Sequence, residues 1–253
     1  MIHSFLLIGQ SNAAGRGYLA DAKPLDTCGG KLQVMRNGLW LKMFRPVNPD
    51  RAFSGTCLAE TFAKAYSEAH PQVEVGLIPC ADGGTCLEQW QPGEILFDNA
   101  VHCAKLAQRT SRLVGILWHQ GEGDCRPERY PHYYSRFQKM ITALRHELGD
   151  PTLPVLMGGL GEFLIHRDGA DHLENFVHVN AALEQFAAED AHSAFVSAAG
   201  LPSNPDHLHF SAAALETFGY RYFDAFQALP DYQNTFSDIE PHSQTERTAM
   251  ELL

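Results

Sequence analysis

Five short β-rich runs recur along the chain, and each is followed by a polar, glycine-containing stretch. They are HSFLLIG (3–9), VEVGLIP (73–79), RLVGILW (112–118), PVLMGGL (154–160) and SAFVSA (193–198). Runs this short, rich in Val, Ile, Leu and Phe and bounded by Gly, Pro or polar residues, read as buried parallel strands. Helix-like stretches alternate with them: 57–70, with Ser54 expected as its cap, then 94–108, 128–148, 172–190 and 211–229. Parallel strands joined by right-handed helical crossovers predict an α/β fold, a three-layer α/β/α sandwich around a five-stranded parallel sheet.

In such a sheet ligands bind beyond the carboxyl ends of the strands. The segment after each run is therefore where chemistry is expected: GQSN after the first, CADGGT after the second, HQGEGD after the third, GEFLIHRDGADH after the fourth and AGLPSNPDHLHF after the fifth. Polar and glycine-rich chemistry is predicted to converge on one edge. The 253 residues, 45% of them hydrophobic, suit one domain, expected over 1–229 with a polar tail over 230–253. The long connection 18–53 is expected to cover a site.

A formal net charge of −11 with no basic run speaks against a nucleic-acid partner. No stretch is apolar for long enough to span a membrane, and the N-terminus lacks a signal-peptide pattern. The six cysteines form no Cys-x-x-Cys pair, as expected of free thiols in a reducing, cytoplasmic setting.

Ser11 stands where the first strand ends. A serine hydroxyl is a weak nucleophile until a base takes its proton, and alone Ser11 reads as a helix cap or loop serine. The flanking residues do not form a G-x-S-x-G elbow, because Ala13 occupies the last glycine position. In DHLHF (206–210), Asp206 and His209 are spaced so that one short turn can present both, a carboxylate beside a base. The competing reading is a metal-site fragment from Asp206, His207 and His209. The turn ADGGT offers backbone N–H groups at Gly83 and Gly84, and WHQGEGD offers the Gln120 carboxamide, as donors to a developing oxyanion. Glu122 and Asp124 read first as loop braces.

Together, GQSN, DGGT, WHQGEGD and DHLHF fall in an order that resembles SGNH-type hydrolases. The likeness is greatest to the branch holding sialate O-acetylesterases and family-six carbohydrate esterases (acetylxylan esterases). The blocks span residues 5–210. The resemblance implies Ser11 as nucleophile, His209 as general base and Asp206 as its orienting carboxylate. It further implies an oxyanion hole from the N–H groups of Ser11 and Gly83 with the Gln120 side chain, and no metal or organic cofactor. Ala13 departs from a common methionine, and Ala214 from a frequent glycine; neither removes a reacting group.

The expected activity is removal of O-linked acetyl groups from a carbohydrate, with Gln10 and Asn12 closing a small acyl pocket and Trp90 stacking on a sugar ring. A broader esterase or thioesterase and a non-catalytic carbohydrate-binding protein are the rivals. Specificity is expected in loops 18–53, 85–94 and 161–171.

Overall fold

The computed structural model describes residues 1–167, 169 and 172–236. All five expected strands form: β1 (Ile2–Gly9), β4 (Glu74–Pro79), β5 (Arg112–His119), β6 (Val155–Gly158) and β7 (Ser193–Val196). The sheet is nonetheless seven-stranded, which corrects the expected five. The connection 18–53 contributes β2 (Leu32–Arg36) and β3 (Leu39–Lys42), giving the order β3-β2-β4-β1-β5-β6-β7. Only the β2–β3 pair is antiparallel. Its turn is Asn37-Gly38, with φ of 50° and 78°, the left-handed pair that a tight hairpin requires.

Helices cover both faces. On one side α2 (Leu58–Ala69) lies against α6 (Ala212–Ala228); on the other α3 (Ile95–Ala107), α4 (Tyr133–Leu148) and α5 (Phe176–Glu189) pack in sequence. Alternation along the strands feeds both layers. Phe5 meets Phe62, Tyr66 and Phe226 edge-on in the first layer, whereas Trp118 meets Phe137 in the second. The cap of α2 differs from expectation: Cys57 is the N-cap, and the Glu60 carboxylate accepts its N–H at 3.2 Å. Ser54 faces Asp50 and Arg51 instead.

The expected tail opens as a 3₁₀ segment, Pro230–Phe236, in which Tyr232 is buried; residues 237–253 lie outside the described residues. All six cysteines are free thiols. No helix among the described residues is long and apolar enough to cross a membrane.

One close approach fixes how β1 leaves the sheet. Gly9 pairs with His119 of β5 at φ +125°, and a Cβ there would sit 2.1 Å from the His119 carbonyl oxygen. The next N–H, of Gln10, donates to that same oxygen at 2.9 Å. Gly9→Ala is therefore expected to destabilise the fold by about 3 kcal/mol. Thermal denaturation followed by circular dichroism checks this, with a midpoint lowered by about 10 °C expected.

Candidate active site

Beyond Gly9 the chain enters α1 (Ser11–Ala14), a single turn closed by Gly15, whose N–H donates to the Ser11 carbonyl. The turn sets Ser11, 7% exposed, at the carboxyl edge of the central strand. Residues 199–210 arrive from β7 on the other side of the edge. There the Ser11 hydroxyl lies 3.0 Å from His209 Nε2, and His209 Nδ1 lies 2.6 Å from Asp206 Oδ2. Asp206 Oδ1 accepts the N–H groups of Leu208 and His209, both at 3.0 Å. The carboxylate is thus fixed by its own turn. These contacts assign the His209 tautomer: Nδ1–H donates to Asp206 and Nε2 accepts the serine proton.

Burial pushes the Asp206 carboxyl upward, but the two N–H groups and the His209 ring outweigh it and hold the group below the usual carboxylate range. His207, at φ +50°, turns away from the other two. Its Nδ1 lies 3.4 Å from Ser203 Oγ, and its ring packs edge-on to His166. No group of three or more His, Cys, Asp or Glu side chains among the described residues is arranged to hold a metal ion.

The three residues expected to touch substrate do other work. Asn12 is fully buried; its Nδ2 donates to Glu122 Oε1 (2.5 Å) and to the Leu208 carbonyl (3.2 Å), and its Oδ1 accepts from Phe210 N–H (3.1 Å). It grips the backbone on both sides of His209. Gln10 is buried and its Oε1 accepts from the N–H groups of Gly121 and Gly123. Trp90 is buried edge-on against Trp118, with its Nε1 donating to Thr85 Oγ1, so no ring face is left for a sugar. A motif letter does not carry a side-chain direction, and all three side chains point inward.

The groups expected as oxyanion donors are engaged with protein acceptors. Gln120 is fully buried, and Nε2 donates to Asp124 Oδ2 (2.6 Å) and the Thr85 carbonyl (3.2 Å) while Oε1 faces Tyr133. Both amide protons are committed, so in this arrangement Gln120 is a brace and not a free donor. Gly83 N–H donates to Asp50 Oδ2 at 2.9 Å, whereas Gly84, at φ +79° and exposed, has no acceptor for its N–H among the described residues.

Glu122 and Asp124 are braces, as the sequence suggests. Asp124 accepts from Gln120 and from Leu87 N–H; burial raises its pKa, and those two donors offset part of the rise. Burial likewise lowers the pKa of His119, keeping that ring neutral behind the site.

Residues that the sequence does not single out complete the edge. Arg16 pairs with Asp50 through Nη2 and Oδ2 at 2.6 Å, the side chains 6% and 3% exposed. Burial raises the Asp50 carboxyl, but Arg16, Ser54 and the Gly83 N–H more than compensate and hold it low. The partners are 34 residues apart, and nothing local marks them as a pair. Asp50 and Asp206 both have folded-state values depressed below the ordinary 3.8. Their stabilisation is therefore complete above that value and is lost as pH falls through the lower folded-state values. Acid titration of tryptophan fluorescence is expected to show unfolding that steepens below about pH 4, with a shallower limb in Asp50→Asn.

Comparisons with known proteins bear on the chain as a whole. The family model described as "Carbohydrate esterase, sialic acid-specific acetylesterase" matches residues 1–228. A probable carbohydrate esterase of Arabidopsis thaliana is 25% identical over 242 residues, covering 88% of this chain and 89% of the relative. Among solved structures, an Arabidopsis thaliana protein superposes with a TM-score of 0.78 at 24% identity, over 89% of this chain and 98% of that one. NanS superposes at 0.70 with 17% identity, over 88% and 96%. The carbohydrate acetylesterase XAC1771 from Xanthomonas citri superposes at 0.68 with 19% identity, over 90% and 56%.

Proposed function

The chain belongs to the carbohydrate esterase family of sialic acid-specific acetylesterases, and on that premise we propose that it removes O-linked acetyl groups from a carbohydrate through a covalent intermediate on Ser11. The observation that carries this reading is the unbroken line from Ser11 Oγ through His209 to Asp206. His209 Nε2 takes the hydroxyl proton as Ser11 Oγ attacks the ester carbonyl, and the tetrahedral oxyanion forms. Asp206 holds the ring in the tautomer that accepts the proton and stabilises the resulting imidazolium.

The donors we assign to the oxyanion are the N–H of Ser11 and an N–H of the Gly83–Gly84 turn, whose Gly83 position lies beside Ser11 Cβ. As the intermediate collapses and the bond to the sugar oxygen breaks, His209 gives its proton to that oxygen, which leaves as the sugar hydroxyl. A water molecule, deprotonated by the same ring, attacks the acyl-enzyme, and acetate leaves with Ser11 restored. The protons balance over the two halves with no further group required.

The family description names sialic acid, and the plant relative is a probable carbohydrate esterase. O-acetylated sialic acid and acetylated xylo-oligosaccharides are accordingly the two substrates to compare. Acetate release from each, and from longer acyl esters, should be measured side by side with Ser11→Ala as the blank. Release from an acetylated sugar, absent in Ser11→Ala, is expected; equal turnover by both forms ends the serine esterase reading. Asp206→Asn presents a donor where Nδ1–H needs an acceptor, and is expected to lower kcat about a thousandfold, far more than the few degrees lost from the thermal midpoint would explain.

A further inference from the structure

Asn48–Arg51 runs beside the loop Ala81–Gly83 and bonds to each of its residues. Asn48 donates to the Ala81 carbonyl at 2.8 Å and accepts its N–H at 3.0 Å. Asp50 accepts the Gly83 N–H. Arg51 donates through Nη1 to the Asp82 carboxylate (2.8 Å) and through Nη2 to the Gly83 carbonyl (2.9 Å). A loop carrying two consecutive glycines has many conformations open to it, and this edge-to-edge bonding selects one.

The Asp50 carboxylate is also linked, through Arg16, to the nucleophile turn. Asp50 Oδ1 accepts from Arg16 Nη1 (3.0 Å) and Ser54 Oγ (2.7 Å), and Oδ2 from Arg16 Nη2. Arg16 follows the Ser11 turn directly: its Nη1 also donates to the Gly15 carbonyl, and its own carbonyl accepts from Asn204, which lies in the His209 segment. A methyl group on Gly83 would lie 2.4 Å from Arg16 Nη2 and 3.4 Å from Ser11 Cβ. The ion pair therefore fills the space between the nucleophile turn and the glycine turn.

We infer that Asn48–Arg51 is a template that sets the Gly83–Gly84 turn against Ser11, with Asp50 a positioning residue for the reaction. By accepting the Gly83 N–H, Asp50 fixes the backbone of the turn at the point where it comes next to Ser11 Cβ. The inference rests on the serine esterase reading above. It gives the long connection 18–53 a role in the chemistry, because donors to an oxyanion act only when they are placed to within tenths of an ångström.

The test compares wild type, Ser11→Ala, Asp50→Ala, Asp50→Asn and Arg51→Ala on 4-nitrophenyl acetate. Inhibition by methylboronic acid, whose tetrahedral adduct on Ser11 fills the oxyanion position, is measured alongside, together with the thermal midpoint of each variant. Asp50→Ala is expected to lower kcat about a hundredfold. KM should stay within about twofold, and boronate affinity should fall in parallel with kcat. Asp50→Asn retains an acceptor for the Gly83 N–H and should recover part of the loss.

Arg51 is 41% exposed, so Arg51→Ala keeps the fold and carries the test if Asp50→Ala does not fold; about a tenfold loss in kcat is expected. Variants that melt like wild type yet keep its kcat and boronate affinity overturn the inference, as does a loss confined to KM. No Ser11-dependent turnover in wild type overturns the esterase reading itself, and the inference falls with it.

Discussion

The Asn12 carboxamide is the contact on which the rest of the site depends. Ser11 and His209 are 198 positions apart, and the serine–histidine bond between them is a single hydrogen bond at the rim of the sheet. Asn12 bonds the backbone on either side of His209 from the residue next to Ser11, and Glu122 holds Asn12 from behind. Three polar segments from three strand ends are thereby joined through one fully buried side chain. Such a network is worth having only when nearly complete, since each unpaired buried group in it would cost a good part of what its neighbours contribute.

The sheet supplies the precision for this arrangement. Parallel strands β4, β1 and β5 deliver their carboxyl ends side by side, and the Gly9–His119 approach sets where β1 turns out of the sheet. Gln10 then bonds to Gly121 and Gly123, tying the first turn to the one after β5. Polar residues in GQSN and WHQGEGD are therefore engaged mainly with each other. Ser11 instead turns its hydroxyl to His209, in neither of those segments.

How much of this is legible in the sequence depends on whether the signal is local. Strand runs, the helical stretches after them and the Asp206–His209 spacing are carried by adjacent residues, and the structure brings them together as the sequence suggests. The β2–β3 hairpin falls within the stretch expected only as a connection, although Asn37-Gly38 between LQVMR and LWLK is the local signal that marks it. Trp90, Gln10 and Asn12 mislead because the direction of a side chain, inward or outward, is decided by packing around the turn. Gln120 falls in the right neighbourhood, but Asp124 and Thr85 take its protons. The Arg16–Asp50 pair has no local signal, since each partner lies in an unremarkable polar stretch.

That pair also resolves an electrostatic difficulty at this edge. A carboxylate holding the glycine turn stands near the place where the reaction would develop negative charge. Like charges held close together away from bulk water repel, and every 1.4 kcal/mol of such repulsion slows a reaction about tenfold. Asp50 could not serve as an acceptor there alone. Arg16, bonded to both of its oxygens, cancels most of that field. A neutral side chain in place of Asp50 would leave the guanidinium buried and unpaired, a larger cost than the repulsion it removes. On the proposed serine esterase reading the two groups act together: the carboxylate fixes the turn, and the guanidinium makes a negative group tolerable beside the oxyanion.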